Sequence, residues 1–512
     1  MSTISFVLIF TIIAYLLVML AVGFICSKSN GDATDFYLGG RKMGPLVTAM
    51  SAEASDMSSW LLMGLPGLAY LSGICEPIWT ALGLGIGTYL NWFFVAKRLR
   101  RYSANLNAYT IPQFFSKRFH DEDNILSALA AVIIILFFVP YTASGFAACG
   151  KLFQSLFGVN YYVAMCVSAF VIIAYTVLGG FKAVSQTDFI QSCVMTLALF
   201  VVLGFGIYHA GGVGAVIDNA KVLSGQLSLT LVHDLGTNSA KSYGGVIAII
   251  STLAWGLGYF GMPHILLRFM AIEDENKLKI SRRVASVWVF IAMGLAIFIG
   301  IMGISFTKNG MLPQLDTSSK AETLIVMIAD LISQNGIFAA VVAGLILAGV
   351  LAATMSTADS QMLAAGSSVS ENIIGEFFGK KLTDKQSMLI ARISIIVIGL
   401  FGIAFAIDPE SSVFRIVSFA WAGFGGAFGA LVLLALFWKR TNKVGAIVGM
   451  AVGGLTVLIW KFFVRPLGGV WDIYELLPAF VLSLLSIVVV SLLTAQPEPR
   501  MIEEFEAAKG DK

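Results

Sequence analysis

The chain has 512 residues, of which 58% are hydrophobic and 12% are charged, and its formal net charge is +3 at pH 7. A soluble domain carries about 25% charged residues, so this composition excludes an ordinary soluble enzyme or binding domain. The basic residues are spread among separate connections rather than clustered, so nothing in the charge distribution indicates a nucleic-acid-binding surface.

The apolar residues form long runs, and a run of about 20 is enough for a helix to cross a hydrocarbon core about 30 Å thick. We therefore predict an all-α polytopic membrane protein in which residues 1–512 form one integral membrane domain. A transmembrane β-barrel would show short alternating segments instead. The thirteen predicted crossings are residues 5–26, 45–72, 77–96, 125–152, 160–180, 187–211, 244–270, 284–306, 336–368, 387–407, 411–437, 444–464 and 474–495.

Lysine and arginine indicate the orientation of the chain in the membrane. They are concentrated in alternate connections, at residues 97–118, 277–283, 380–385 and 439–443. Because short connections rich in these residues stay in the cytoplasm, we expect this side to face inward. With an odd number of crossings, the N-terminus is then expected outside and the tail, residues 496–512, in the cytoplasm.

Two connections on the opposite side are long, at about 212–243 and 307–335. The second contains 321-AETLIVMIADLISQ-334, in which apolar and polar residues alternate at helical spacing. This segment is short for a crossing, so we predict an amphipathic helix that lies on the outer membrane surface.

The second crossing contains 51-SAEASDMSSW-60, which places Glu53, Asp56 and four serines inside a hydrophobic segment. A charged aspartate at the bilayer centre costs about 2.5–3.5 kcal/mol on insertion scales, so it is retained where it has a function. Serine side chains compete for backbone hydrogen bonds and loosen a helix. We predict that the helix unwinds near Ala54–Ser58 and that the freed carbonyls and Asp56 form an oxygen site for a small cation.

Two plainer interpretations of these acids stay open. Asp56 would form a polar contact with a neighbouring helix. Glu53, one turn closer to the basic connections, would only pair with basic residues there.

The ninth crossing contains a second polar cluster within 351-LAATMSTADSQMLAAGSS-368. The polar residues that interrupt the helix are Ser356, Thr357, Asp359 and Ser360. Ala353 lies on the same helical face as Ser356, Thr357 and Ser360, because residues three and four apart are neighbours on a helix. This stripe is expected to complete an oxygen cage with the second crossing, although small residues also serve to pack helices together.

The seventh crossing contains 254-AWGLGYFGMPHILLRFM-270, with three glycines, a proline and four aromatic residues. Glycine and proline favour a bent or unwound helix. Trp255, Tyr259 and Phe260 would then wall a small pocket, whereas the plainer interpretation is aromatic packing beside a kink. The second and seventh crossings are five apart, so the second unit would be inverted relative to the first, as in transporters built from inverted repeats.

Other classes of protein are less compatible with the sequence. Five scattered cysteines and four histidines have no metal-ligand spacing, and no HExxH, GxSxG or GxxxxGK[ST] motif is present. We therefore expect neither an enzyme nor a cofactor. A channel normally uses rings of carbonyls or charges around a symmetric pore, so two broken helices in one chain favour a carrier.

Four motifs indicate a family: SDMSSWLLMGLPG, 179-GGFKAVSQTDFIQ-191, FGMPHILLRFMA and AATMSTADSQML. These motifs follow one another along nearly the whole chain. In them the chain resembles the sodium:solute symporter family and its proline-carrying branch. The resemblance implies sodium-coupled import of L-proline by alternating access across a bacterial plasma membrane, with sodium as the coupling ion. Import of another small zwitterionic or carboxylate solute is the alternative.

The resemblance also implies a leucine-transporter-like core of five plus five inverted helices. The first repeat would be residues 45–211, the second 244–437, and the peripheral helices 5–26 and 444–495. A single chain would be sufficient for transport.

By the same resemblance, particular residues have roles. The sodium-binding residues would be Ala54, Asp56, Met57, Ala353, Ser356 and Thr357. The substrate-binding residues would be Ser58, Ser59, Tyr141, Trp255, Tyr259 and Pro263. A candidate second ion site, known from relatives that carry two sodium ions, would be Asp188, Asp359 and Ser360, although we expect one sodium per substrate here. Ser59, where proline carriers have glycine, and Asp359, where two-sodium relatives have a hydroxyl residue, depart from the family pattern.

Overall fold

A computed structural model describes residues 3–27 and 32–510, and these residues are almost entirely helical. The helices before the first long connection are α1 (Thr3–Ser27), α2 (Ala33–Leu38), α3 (Pro45–Ser59), α4 (Leu65–Ser72), α5 (Cys75–Leu90), α6 (Ala96–Asn105), α7 (Ile111–Arg118), α8 (Ile125–Phe157) and α9 (Tyr161–His209). That connection contains α10 (Val213–Lys221) and an antiparallel hairpin of β1 (Leu231–Asp234) and β2 (Ser239–Ser242). The later helices are α11 (Gly245–Leu253), α12 (Pro263–Ala271), α13 (Leu278–Lys308), α14 (Ser318–Ala321), α15 (Leu324–Ser333), α16 (Ile337–Ser367), α17 (Asp384–Phe405), α18 (Val413–Phe424), α19 (Ala430–Phe437), α20 (Lys443–Ile459), α21 (Leu476–Leu493) and α22 (Pro499–Ala507). The sequence did not predict the hairpin.

In the described part of the chain, ten helical segments are long and apolar enough to cross a membrane, or eleven if α11 and α12 are one bent span. The prediction of thirteen differs at two places. The 49 residues of α9 count as one segment, yet at 1.5 Å per residue they extend about 74 Å, more than twice a hydrocarbon core. Residues 45–72 are not among them, and the helix there is broken at Ser58 and carries two acids and a group of serines. The number thirteen therefore stays a prediction.

Within residues 3–27 and 32–510, three breaks shape the helical segments around the predicted site. In α3 the break is at Ser58, whose φ of 44° and ψ of −170° lie in a region that residues with a Cβ rarely adopt. In α9 it is at Gly180, with φ of 67°. Between α11 and α12, residues Ala254–Gly261 form a 3₁₀ turn and the axis bends by 47°. The predicted breaks in the second and seventh crossings are thus present.

The polar cluster of the ninth crossing lies within a continuous helix, as its shared helical face requires. Helix α16 runs without a break from Ile337 to Ser367. Its hydroxyl groups bond back to carbonyls of the preceding turn, as Ser356 and Thr357 do to Ala353, so they satisfy themselves without unwinding the helix.

The predicted surface helix is also placed differently. Helix α15 forms within the expected segment, but its residues are buried on most sides, including Leu324, Ile328 and Ser333. It packs against α16, α8 and α9, so protein covers most of its surface. The segment is apolar on more than one face, which suits contact with protein on several sides.

We call the end of the molecule that carries β1, β2, α15 and residues 465–475 the hairpin end. A buried ion pair joins three of its segments. The Lys151 ammonium lies 2.8 Å from a Glu322 carboxylate oxygen, and both side chains are 3% exposed. The other Glu322 oxygen accepts hydrogen bonds from the Ser412 hydroxyl (2.8 Å) and the Phe414 N–H (3.3 Å). This network holds α8, α14 and the start of α18 together.

Replacing Lys151 with methionine is expected to destabilise the protein by about 3–5 kcal/mol, because it leaves the Glu322 charge buried without its partner. Denaturant-induced unfolding in detergent measures this. Lys320→Met, which removes an exposed lysine from its pair with Asp316, is the matched control and should change little. Equal stability of the Lys151 variant and the parent would contradict the importance of the pair.

We call the opposite end the basic end. The tail helix α22 docks there through Met501 and Phe505, and the Phe505 ring lies between the guanidinium groups of Arg98 (4.6 Å) and Arg118 (5.2 Å). The tail therefore contacts the rest of the protein instead of extending from it.

Candidate functional site

Helices α3 and α16 meet at the predicted oxygen cage. The Ser356 hydroxyl donates to the Ala54 carbonyl oxygen at 2.8 Å, and it also lies 3.2 Å from the Ala353 carbonyl oxygen. The Thr357 hydroxyl lies at the same distance from the Ala353 oxygen. Four predicted sodium ligands thus lie within hydrogen-bonding contact, although they come from segments about 300 residues apart in the chain.

The break in α3 lies directly beside these oxygens. The Met57 carbonyl accepts a hydrogen bond from the Trp60 N–H, which also bonds to the Ser58 hydroxyl at 3.0 Å. Ser59 is fully buried, and its hydroxyl has no partner among the described residues. An unpaired buried hydroxyl costs about 1–3 kcal/mol, so it is a candidate contact for a ligand.

Asp56 connects this region to two tyrosines. Its carboxylate accepts a hydrogen bond from the Tyr259 hydroxyl, and its carbonyl oxygen accepts one from the Tyr141 hydroxyl at 3.1 Å. Asp56 is 6% exposed and the two tyrosines are buried. Asp56 therefore forms the polar contact with another part of the chain that the plainer interpretation expects. It also lies beside the oxygen cage.

A small cavity lies over Asp56. It is lined by Asp56, Met57, Trp60, Leu84, Tyr141, Trp255, Val417 and Trp421. Its space holds about one water molecule, so a larger ligand requires the cavity to enlarge. Of the predicted substrate residues, Tyr141 and Trp255 line it. Trp60, Leu84, Val417 and Trp421 were missed, and among these only Trp60 lies inside a motif that the sequence singles out.

The 3₁₀ turn between α11 and α12 frees two backbone carbonyls, and side chains from other helices satisfy them. The Trp421 indole N–H donates to the Trp255 carbonyl oxygen at 2.8 Å, and the Asn91 amide donates to the Tyr259 carbonyl oxygen at 2.9 Å. A Cβ on Gly258 would collide with the Trp421 indole, so the close approach requires glycine. Pro263 begins α12, where its missing N–H is not needed, and it is not one of the cavity-lining residues.

A larger cavity of about 520 Å³ opens at the hairpin end, and we call it the vestibule. Its charged lining residues are Glu76, Glu322, Arg415, Lys461, Arg465 and Asp472. Trp255 lines both the vestibule and the small cavity, so its indole forms part of the partition between them.

The structure brings the candidate second ion site together and adds a cation that the sequence did not predict. Arg268 lies 3.1 Å from the Asp188 carboxylate and 2.5 Å from the Ser360 hydroxyl. Asp359 accepts hydrogen bonds from Ser360 (3.2 Å) and from the Tyr175 hydroxyl (2.5 Å). The guanidinium group thus supplies positive charge beside two buried carboxylates that would otherwise repel each other.

The contacts of Glu53 differ from the predicted ones. It is 1% exposed, and its carboxylate accepts a hydrogen bond from the Trp92 indole at 3.1 Å. Its second oxygen has no partner within the described residues, so the expected pairing with basic side chains is wrong. Glu53 therefore lies inside packed protein, beside Trp92.

Comparison with known proteins agrees with this arrangement. The sequence model of the sodium:solute symporter family matches residues 36–453. The osmoregulated proline transporter OpuE of Bacillus subtilis is 40% identical over 94% of both chains. A sodium/proline symporter of Escherichia coli is 40% identical over 97% of this chain and 95% of its own length.

Among solved structures, a Na⁺-coupled sialic acid symporter in a substrate-bound, outward-open state matches with a TM-score of 0.78. The match covers 96% of this chain and 99% of that chain, at 20% sequence identity. At this identity the likeness concerns the fold, and it confirms the predicted all-α, leucine-transporter-like architecture.

Proposed function

This chain belongs to the sodium:solute symporter family, and from that premise we propose that it imports L-proline together with sodium by alternating access. It is a membrane transporter rather than an enzyme, and sodium is its coupling ion. We place it in a bacterial plasma membrane with the basic end and the tail in the cytoplasm and the hairpin end outside, because Lys and Arg are concentrated at the basic end. One chain contains the whole proposed pathway.

The observation that carries the proposal is the contact between α3 and α16. The proposed sodium ligands are the carbonyl oxygens of Ala54, Met57 and Ala353, the hydroxyls of Ser356 and Thr357, and the nearby carboxylate of Asp56. These are hard oxygen donors of the kind that small alkali and alkaline-earth cations prefer. The hydroxyls now bond to the carbonyls, and a cation between them would replace those hydrogen bonds.

Sodium at this position would fix the break in α3 and with it the adjacent wall of the cavity. The coupling is then reciprocal, so sodium and substrate each tighten the binding of the other. One charge moving through 100 mV supplies about 2.3 kcal/mol. A tenfold sodium gradient adds about 1.4 kcal/mol, and together these support accumulation of several hundredfold.

The substrate would occupy the cavity over Asp56 once it enlarges. The indoles of Trp60, Trp255 and Trp421 suit an apolar pyrrolidine ring. Tyr141 and Tyr259, with the hydroxyls of Ser58 and Ser59, lie nearby as polar contacts. Pro263 would act only by starting α12 and shaping the bend.

For the cluster of Asp188, Asp359 and Ser360, the expectation remains one sodium per substrate. Arg268 already neutralises one carboxylate, which lowers the need for a second cation.

Replacing both Ser356 and Thr357 with alanine is expected to lower the apparent sodium affinity about 10-fold or more, because two oxygen ligands are lost. Sodium titration of proline binding measures this. Thr354→Ala is the matched control, since its hydroxyl also bonds back along α16, to Val350. An equal loss of apparent sodium affinity in the control and in the double variant would contradict the proposed site.

Binding of labelled L-proline to the purified protein tests the substrate. We expect binding in sodium and little in potassium, with unlabelled proline as the strongest competitor. Stronger competition by another zwitterion or by a carboxylate would instead support the alternative substrate class. Ser59 would then be the first residue to examine, because it carries a hydroxymethyl group where proline carriers have glycine.

A further inference from the structure

Trp255 is held in place by a residue from outside the proposed ten-helix core. The Tyr474 ring stacks on the Trp255 indole, with ring centroids 5.2 Å apart and an interplanar angle of 22°. Tyr474 lies just before α21, one of the two peripheral helices that follow the second repeat. It also lines the vestibule, on the same side of the partition as the charged residues.

Two hydrogen bonds fix Tyr474 to two different helices. Its backbone N–H donates to the Ser251 hydroxyl at 2.6 Å, and its own hydroxyl donates to the Ser418 carbonyl oxygen at 2.7 Å. Ser251 lies on α11, one turn before Trp255, and Ser418 lies on α18, one turn before Trp421. Tyr474 therefore joins α11, which leads into Trp255, to α18, which carries Trp421, and it does so at the hairpin end.

Substrate that enters from the vestibule must pass Trp255 to reach the cavity over Asp56. For that, the indole has to leave its position between Tyr474, Phe414 and Trp60. Any interaction that ties α11 to α18 near this point opposes the opening. A peripheral segment that makes such interactions can set how often the cavity opens toward the hairpin end.

We infer that Tyr474 is a positioning residue that latches the partition closed on the hairpin side. This rests on the proposed function, because Trp255 must lie on the substrate pathway. The ring holds the indole, the hydroxyl holds α18, and the backbone N–H holds α11. Loosening one of these bonds shifts the population toward the state that is open to the hairpin end.

The rate at which a thiol below the partition reacts with a membrane-impermeant methanethiosulfonate reagent tests this. Val417 lines the small cavity, so the thiol is placed there by Val417→Cys, and labelling at position 417 is quantified by mass spectrometry in vesicles exposed to reagent at the hairpin end. In sodium without substrate, adding Tyr474→Phe should raise the labelling rate roughly 2- to 10-fold, because that factor corresponds to the free energy of one hydrogen bond. Ser251→Ala, which removes the other hydrogen bond, should also raise it.

Tyr161→Phe is the matched control. Its hydroxyl likewise donates to a backbone carbonyl oxygen at 2.7 Å, that of Ala406, and Tyr161 is buried, but this bond reaches the end of α17 rather than α11 or α18. Unchanged labelling in both Tyr474→Phe and Ser251→Ala, or an equal increase in Tyr161→Phe, would overturn the inference.

Addition of L-proline separates this inference from the proposed function. Proline should slow labelling in the chain that carries only Val417→Cys. If proline gives no protection while Tyr474→Phe still accelerates labelling in sodium, then the substrate assignment fails and the latch stands.

Discussion

Replacing Asp56 with alanine is expected to abolish sodium stimulation of proline uptake and to lower the uptake rate about 100-fold or more. The Asp56 carboxylate lies beside the proposed sodium cage and accepts a hydrogen bond from Tyr259. A charge about 4 Å from a cation is worth about 4 kcal/mol at an effective dielectric constant of 20, and a 100-fold loss needs only about 2.7 kcal/mol. Initial uptake rates at several sodium concentrations measure the effect.

Asp56→Asn separates the charge from the contact. Asparagine keeps an oxygen that can accept from Tyr259 but lacks the negative charge, so its sodium stimulation should also be lost. Glu53→Gln is the matched control, because Glu53 is a second buried acid on α3, one turn away, and its carboxylate contacts Trp92 instead. Near-normal sodium-dependent uptake by Asp56→Ala would remove the central role assigned to this residue.

Replacing Trp255 with alanine is expected to raise the KM for proline about 30-fold and to change the apparent sodium affinity much less. The indole is a wall of the cavity and part of the partition toward the vestibule. Losing the contact of one large buried side chain costs about 2 kcal/mol, which corresponds to about 30-fold.

Trp288→Ala is the control for loss of an indole. Trp288 is a buried tryptophan on α13 that donates to the Thr196 hydroxyl at 2.8 Å, and it does not line either cavity. A larger effect of Trp255→Ala on sodium affinity than on proline affinity would move the substrate pocket away from the seventh crossing.

The site was predictable where local composition is unusual. Acids and serines within an apolar segment predict the break near Ser58, and the glycines and Pro263 predict the bend between α11 and α12. Both features are local consequences of backbone chemistry, so they do not depend on distant contacts.

Features that depend on distant contacts were not predictable from one sequence. Arg268 reads as one more residue of the seventh crossing until the fold brings it to Asp188, which lies 80 residues earlier in the chain. Tyr474 lies outside every motif and acquires its position only through packing on Trp255. The helical spacing of α15 predicts the helix itself, but its partners α16, α8 and α9 become visible only in the fold.

The most direct test of sodium-coupled symport is uptake of labelled L-proline by proteoliposomes that contain the purified chain. We expect accumulation above equilibrium with an inward sodium gradient, and none when potassium replaces sodium or when only a proton gradient is applied. Uptake that never exceeds equilibrium, or accumulation that is independent of sodium, would contradict sodium-coupled symport through the site between α3 and α16.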